Sequence, residues 1–242
     1  STKAMNKKLL ILIMARKGSD DVISRQNLRL VKNKPLLYYI VKTALKFKKA
    51  DVLVSTDSEE ISELSLLYGA NYIKRPRRLT KNTTSVKEIC LDALQKLEKE
   101  NIHYEKCLVL HPKIPLIKIS TINTFFKNLE KKEPTIFGIS HIVDSKLGYE
   151  IETSKKSLKL NPSKKPLGIL NKIVAFNTKQ FIKNNGNFVF PFYGLKLSND
   201  ETHSLRSYHD FGTFEQILNR KKILVRIDST VKIGMGHIFN VL

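Results

Sequence analysis

Residues 9 to 40, LLILIMARKGSDDVISRQNLRLVKNKPLLYYI, constrain the fold more than any other stretch of the chain. The run from Leu9 to Met14 is apolar without alternation, so the strand it forms needs cover on both faces, as in a parallel sheet. It breaks at once into Ala15-Arg16-Lys17-Gly18-Ser19. A polar loop follows, and Asn33-Lys34-Pro35 opens a second apolar stretch with helical spacing. A glycine and a serine directly after a buried strand suit a loop whose amides face an anion. Gly18 permits close approach, Ser19 adds a hydroxyl donor, and Arg16 and Arg25 add charge. The same residues also suit an ordinary strand-to-helix loop on a basic protein.

The alternation continues to residue 142. Helices are expected over 35–48, 58–68 (capped by Ser58 and stopped at Gly69), 85–99 (capped by Thr84 or Ser85) and 120–131. Strands are expected over 51–55, 70–73, 106–110 and 135–142. This pattern specifies an α/β fold, a three-layer, mostly parallel sheet. Ligands in such sheets gather beyond the carboxyl ends of the strands, which puts residues 16–19, Asp57 and the turn 111–115 around one crevice. Residues 144–166 turn polar and Lys-rich, and 147–160 read as a protruding hairpin or flap. A strand over 173–177, a short helix over 178–184, an extended segment over 189–197 and a helix over 213–219 close the domain.

With 242 residues and 41% hydrophobic content, the chain can bury one substantial core. Its apolar runs all fall short of the roughly 20 residues that cross a bilayer. Two cysteines, Cys90 and Cys107, make neither a disulfide framework nor a zinc site, and a reducing cytoplasm is the expected compartment. Met5 reads as the native start, with residues 1–4 an expression remnant. The 43 Lys and Arg against 22 Asp and Glu give a net charge of +21. The lysines are scattered through nearly every expected element, without aromatic interleaving or a DNA-reading helix, so they argue against specific nucleic-acid recognition.

Five segments, in order, resemble the N-acylneuraminate (CMP-sialic acid) cytidylyltransferases, whose fold is of the nucleotide-diphospho-sugar transferase (Rossmann-like) type. They are the Ala15–Ser19 loop with Asn27 and Lys34-Pro35-Leu36-Leu37; Ser55-Thr56-Asp57-Ser58-Glu59-Glu60-Ile61; Arg75-Pro76 with Leu79 and Asn82-Thr83-Thr84-Ser85; Leu110-His111-Pro112-Lys113-Ile114-Pro115-Leu116; and His209-Asp210-Phe211-Gly212-Thr213. The resemblance spans about residues 6 to 220. It implies attack by the anomeric hydroxyl of a nine-carbon α-keto acid sugar on the α-phosphate of CTP, with Mg²⁺ and a homodimer built partly from residues 144–166. It further implies that Arg16, Gly18, Ser19, Asn27, Arg75 and Ser85 hold CTP, that Arg16, Arg25 and Asp210 are catalytic, that Asp210 holds the metal, and that His111 and Lys113 face the sugar.

The chain also departs from the family pattern. Asp20 and Asp21 follow Ser19 where the family has a lysine, and Arg25 or Gln26 takes the place of a second lysine. Gly212 replaces a second late carboxylate, and Lys113-Ile114 replace a small hydroxyl pair, which suggests a more apolar sugar pocket. Three ordinary roles are open as well: Ser85 as a helix cap, Asn27 as a turn former and Arg75 as an exposed residue before a proline. His209 is expected to be a structural neighbour of Asp210. Two readings follow, a working cytidylyltransferase and a weakened domain of the same fold kept for nucleotide-sugar binding, dimerisation or scaffolding. Residues 222–237, with Ile233-Gly234-Met235-Gly236-His237, resemble the start of the nucleotide-sugar hydrolases of the pseudaminic acid pathway. A longer bifunctional chain acting on pseudaminic or legionaminic acid is therefore expected.

Overall fold

The apolar run lies in strand β1, Met5–Met14, at the heart of a nine-stranded sheet. This computed structural model describes residues 5–19, 21–130, 133–140, 148–152, 158–166 and 168–220. Leu10, Ile11, Leu12 and Ile13 are wholly buried. Period-2 geometry sends Ile11 and Ile13 into one core and Leu10 and Leu12 into the other. Each fully buried side chain of this kind contributes roughly 1.5–3 kcal/mol, so the strand cannot slip in register without losing both cores.

Downstream come the β2–β3 hairpin (Leu30–Val31 and Lys34–Pro35), helix α1 (Leu36–Lys46), β4 (Asp51–Thr56), α2 (Glu59–Tyr68), β5 (Asn71–Lys74), α3 (Val86–Lys99) and β6 (Ile102–Leu110). The hairpin is absent from the sequence reading. Its turn residues, Lys32 and Asn33, both have positive φ, as a type I′ turn requires, but lack the glycine that signals one. The chain then forms α4 (Ile119–Glu130), β7 (Thr135–Ser140), β8 (Gly148–Glu152), β9 (Leu158–Pro166), β10 (Gly168–Asn177), α5 (Thr178–Lys183), β11 (Phe192–Lys196) and α6 (Tyr208–Asn219).

The strand order is β5-β4-β1-β6-β10-β7-β11-β9-β8. Strands β5, β4, β1 and β6 run parallel, with Leu10 opposite both Asp51 and Cys107. Strand β10 inserts antiparallel between β6 and β7. Helices α1, α2 and α4 cover one face and α3 and α5 the other, which makes the expected three layers. The chain winds outward from β1 to β5, then returns through α3 to β6 on the other side of β1. The strand order therefore reverses beside β1, where open α/β sheets place their ligands.

Caps end the helices where the sequence indicated. The Ser58 hydroxyl accepts from the Ile61 amide, Gly69 closes α2 at φ 100°, and Ser85 forms a capping box with Glu88. Helix α6 starts five residues earlier than expected, because Ser207 and Asp210 form a second capping box. Cys90 and Cys107 are buried free thiols, and burial pushes both up. The segment read as a hairpin pairs as β8 and β9, and β9 also pairs with β11. Residues 141–147, 153–157 and 221–242, including the hydrolase-like segment, lie outside the described residues. Among the described residues, no helix is long and apolar enough to cross a membrane.

Glu201, 3% exposed, ties the start of α4 to residues 198–202. It accepts from the Lys118 amide at 2.9 Å, from the Thr121 hydroxyl, and from the amide and hydroxyl of Ser198 at 3.1 and 2.9 Å. Burial works to raise the carboxyl, but these hydrogen bonds outweigh it and hold it below 4.5. A depressed folded-state value adds stability above the unfolded pKa and loses it as pH falls through the folded one. Glu201→Ala is expected to cost about 2–3 kcal/mol in urea unfolding at pH 7. The gap to wild type should narrow below about pH 4.5, the unperturbed value.

Candidate active site

The exit of β1 is pinned twice to the end of β4 before it becomes a loop. The Ala15 amide donates to the Ser55 carbonyl of β4 at 3.0 Å, and the Lys17 amide donates to Asp57 Oδ1 at 2.7 Å. Gly18 follows at φ 62°, a left-handed conformation that favours glycine. The Arg25 amide donates back to the Gly18 carbonyl at 2.8 Å, so residues 18–25 form a closed turn. The Ser24 hydroxyl braces the turn on the Ser19 carbonyl at 3.0 Å, and Ser19 is exposed at its tip. Asn27, 6% exposed, donates to the Arg16 carbonyl at 2.9 Å and fastens the far end of the loop to its start. Its Oδ1 is buried with no hydrogen-bond partner among the described residues.

The arginines divide sharply by environment. Arg16 is part-buried and donates to the Asp21 and Asn82 side chains and the Thr80 carbonyl. Arg25, in a left-handed conformation at φ 52°, pairs with Glu60 in an exposed bridge. Arg75, at 4% exposure, is no exposed pre-proline residue. It reaches under the end of β4 and donates to the Ser55 hydroxyl at 3.2 Å and carbonyl at 2.9 Å. Burial pushes its guanidinium down to about 10, with Asp57 opposing the fall and Arg16 adding to it. Arg16, Asp57 and Arg75 therefore act on one another across the ends of three adjacent strands.

On the β6 side, the turn after Leu110 carries His111 and Lys113. The Lys113 amide donates to His111 Nδ1 at 3.1 Å, and the Ile114 amide to the His111 carbonyl at 3.0 Å. Ile114 is 3% exposed and packs in the core beneath α1 and α4. The expectation that it makes a sugar pocket more apolar is corrected here. Its side chain belongs to the buried core. The Lys113 carbonyl accepts from the Leu205 amide at 2.9 Å, while Gln26, buried at 3%, donates to the Leu205 carbonyl at 2.7 Å. One residue thus joins the loop after β1 to the turn after β6.

Asp210 lies in the first turn of α6, not in a loop. Its Oδ2 accepts from the Arg206 amide at 2.8 Å and from the Ser207 amide and hydroxyl at 2.7 and 3.0 Å. Burial raises this carboxyl, and the hydrogen bonds outweigh burial to lower it. Arg29 stacks on Tyr208 and donates to its hydroxyl at 2.9 Å, so α6 begins beside the loop end. His209 also lies in that first turn. Among the described residues, no group of three or more His, Cys, Asp or Glu side chains is placed to hold a metal ion. Asp210 spends Oδ2 on its helix cap and Gly212 has no carboxylate, so this motif offers one carboxylate where the resemblance implies a pair. Ser85 is likewise engaged, its hydroxyl donating to Glu88 at 2.8 Å and accepting from the Glu88 amide at 3.3 Å.

The sequence profile described as cytidylyltransferase matches residues 10–198. The chain belongs to the cytidylyltransferase family. It is 26% identical over 219 residues to an N-acylneuraminate cytidylyltransferase of Escherichia coli O18:K1:H7, covering 87% of this chain and 46% of that protein. It is 32% identical over 117 residues to a CMP-N,N'-diacetyllegionaminic acid synthase of Legionella pneumophila, covering 48% of this chain and 50% of that one. The chain thus spans about half the length of these curated relatives. Among solved structures, a CMP:2-keto-3-deoxy-manno-octonic acid synthetase complexed with CTP superposes with a TM-score of 0.67 at 13% identity, covering 88% of this chain and 99% of that one. At that identity the likeness is one of fold.

The sequence left Arg75's partners unread because a contact from the residue after β5 to Ser55 of β4 has no local signature. The Asp21 contact was closer to hand, as an acid three residues beyond Gly18. The Ser55 carbonyl keeps the Ala15 amide as a partner whether or not Arg75 is present, so only the Ser55 hydroxyl loses a partner with it, against the cost of burying a cation. Arg75→Met, similar in volume and apolar, is expected to leave urea stability unchanged or raise it by up to about 2 kcal/mol. A loss of more than that would show the buried cation to be a stabiliser.

Proposed function

We propose that the crevice at the ends of β1, β4, β5 and β6 binds CTP, and that the protein transfers its CMP group to a nine-carbon α-keto acid sugar. The observation that carries this reading is the Gly18 turn. It sits at the strand-order reversal, with Arg16 beside it and Arg75 beneath, in a chain of the cytidylyltransferase family. A triphosphate has a use for each part: amides and a hydroxyl around Gly18 and Ser19, and charge from Arg16 and Arg25. Asn27 holds this loop in shape, Arg75 and Ser85 face the base, and Lys113 with His111 receives the sugar carboxylate. In the reaction, the sugar's anomeric oxygen bonds to the α-phosphorus as the bond from that phosphorus to the β-phosphate oxygen breaks. Pyrophosphate leaves and the hydroxyl proton passes to water. Positioning and charge neutralisation supply most of the rate in such transfers.

The names of the relatives favour a sialic-acid-like acceptor. Within that class the reading takes pseudaminic or legionaminic acid, and it includes a homodimer formed partly through residues 144–166. The test is pyrophosphate release from CTP with each of N-acetylneuraminic, pseudaminic and legionaminic acid. Mg²⁺ belongs in the assay because it binds triphosphate oxygens in solution. Turnover is expected with pseudaminic or legionaminic acid above N-acetylneuraminic acid, and Arg16→Ala should lower kcat about a hundredfold. Preference for N-acetylneuraminic acid overturns the acceptor assignment. No turnover with any of the three favours a binding or scaffolding domain of the same fold.

A further inference from the structure

The loop after β1 carries its own anion. The Asp21 carboxylate pairs with Arg16 in a site where the two side chains are only 13% and 15% exposed. It also lies over Gly18, where a Cβ would collide with Asp21 Oδ2. Gly18 thus opens a small concavity at the end of β1, and a carboxylate from three residues on fills it. The neighbouring pair differs in kind. Arg25 and Glu60 are 47% and 55% exposed, so water screens their attraction.

We propose that Asp21 is an internal counter-anion, its carboxylate held where a phosphate group of the nucleotide binds, so that it sets the affinity of the crevice for triphosphate. This rests on the CTP reading above. Binding is then an exchange, in which phosphate oxygens take over Arg16 and the Asp21 carboxylate leaves for solvent. Arg16 does not depend on Asp21 for its orientation. The Thr80 carbonyl and Asn82 Oδ1 also accept from it, and both remain when Asp21 is neutralised. Asp21 therefore opposes an incoming anion more than it prepares the arginine for one. Like charges brought together in a part-buried site repel by amounts that solvent does not cancel.

The experiment is calorimetric titration of wild type, Asp21→Asn, Asp21→Ala and Glu60→Gln with two probes, CTP and inorganic tripolyphosphate. Tripolyphosphate has no base to recognise, so it reports the anion exchange alone. Both Asp21 variants are expected to bind both probes about tenfold tighter, about 1.4 kcal/mol, with Glu60→Gln within twofold of wild type. Tighter tripolyphosphate binding without any CTP binding would sustain the exchange and remove the CTP reading. Unchanged or weaker tripolyphosphate binding in the Asp21 variants overturns the proposal, as does an equal gain from Glu60→Gln or no binding by any protein. Thermal melts accompany the titrations. Loss of folding in both Asp21 variants would make the residue structural and overturn the proposal too.

Discussion

A strand buried on both faces has one freedom left, the direction in which it leaves the sheet. Strand β1 is paired on each side, to β4 and to β6, and its side chains are committed to two separate cores. Its backbone polar groups can be satisfied only in that register, since an unpaired buried amide costs about as much as a lost hydrogen bond. The pairing continues past the last apolar residue, through Ala15 to Ser55 and Lys17 to Asp57. The crevice therefore inherits the rigidity of the sheet. Arg16 stands between two residues whose amides are fixed, and Gly18 turns the chain where that anchoring stops.

The charge of the protein and the charge of the crevice are separate matters. A net +21 would seem to favour any anion, yet at physiological ionic strength lysines beyond about 8 Å are largely screened. What an anion meets locally is Arg16 paired with Asp21, Arg25 paired with Glu60, and Asp57 held by a backbone amide. Arg75 is buried against neutral oxygens of Ser55, within the influence of Asp57 and Arg16. Selectivity in such a crevice follows from which pairs are part-buried and which are exposed. Total charge has little part in it.

Most of the fold was legible because its signals are local. An uninterrupted apolar run, a serine three residues before a glutamate, and a glycine after a helix each name an element within a few residues, and β1, α3 and α2 follow from them. Where two local signals compete, the reading fails. The resemblance put Asp210 ahead of the last helix as a metal ligand, while Ser207 with Asp210 three residues later is an equally plain capping box, and the box sets the start of α6. Ile114 replaced a polar residue in a resembled motif and was read as pocket lining, although an isoleucine next to a proline turn packs inward as readily. The antiparallel insertion of β10 between β6 and β7 has no local signature, because pairing across a sheet is decided by strands far apart in the chain.

The least legible contact is also the one that joins the two walls of the crevice. Gln26 and Leu205 are 179 residues apart, and only the folded chain brings the Leu205 carbonyl to Gln26 and its amide to Lys113. The Leu205 side chain is wholly buried in a small third core with Val31, Leu36 and Phe214. That core holds the base of α6 against the start of α1 and the β2–β3 hairpin. Its apolar packing fixes Leu205, and Leu205 in turn fixes the spacing between the loop after β1 and the turn after β6. Apolar burial thereby sets the distance between the two walls, while the charged side chains have only to choose partners within it.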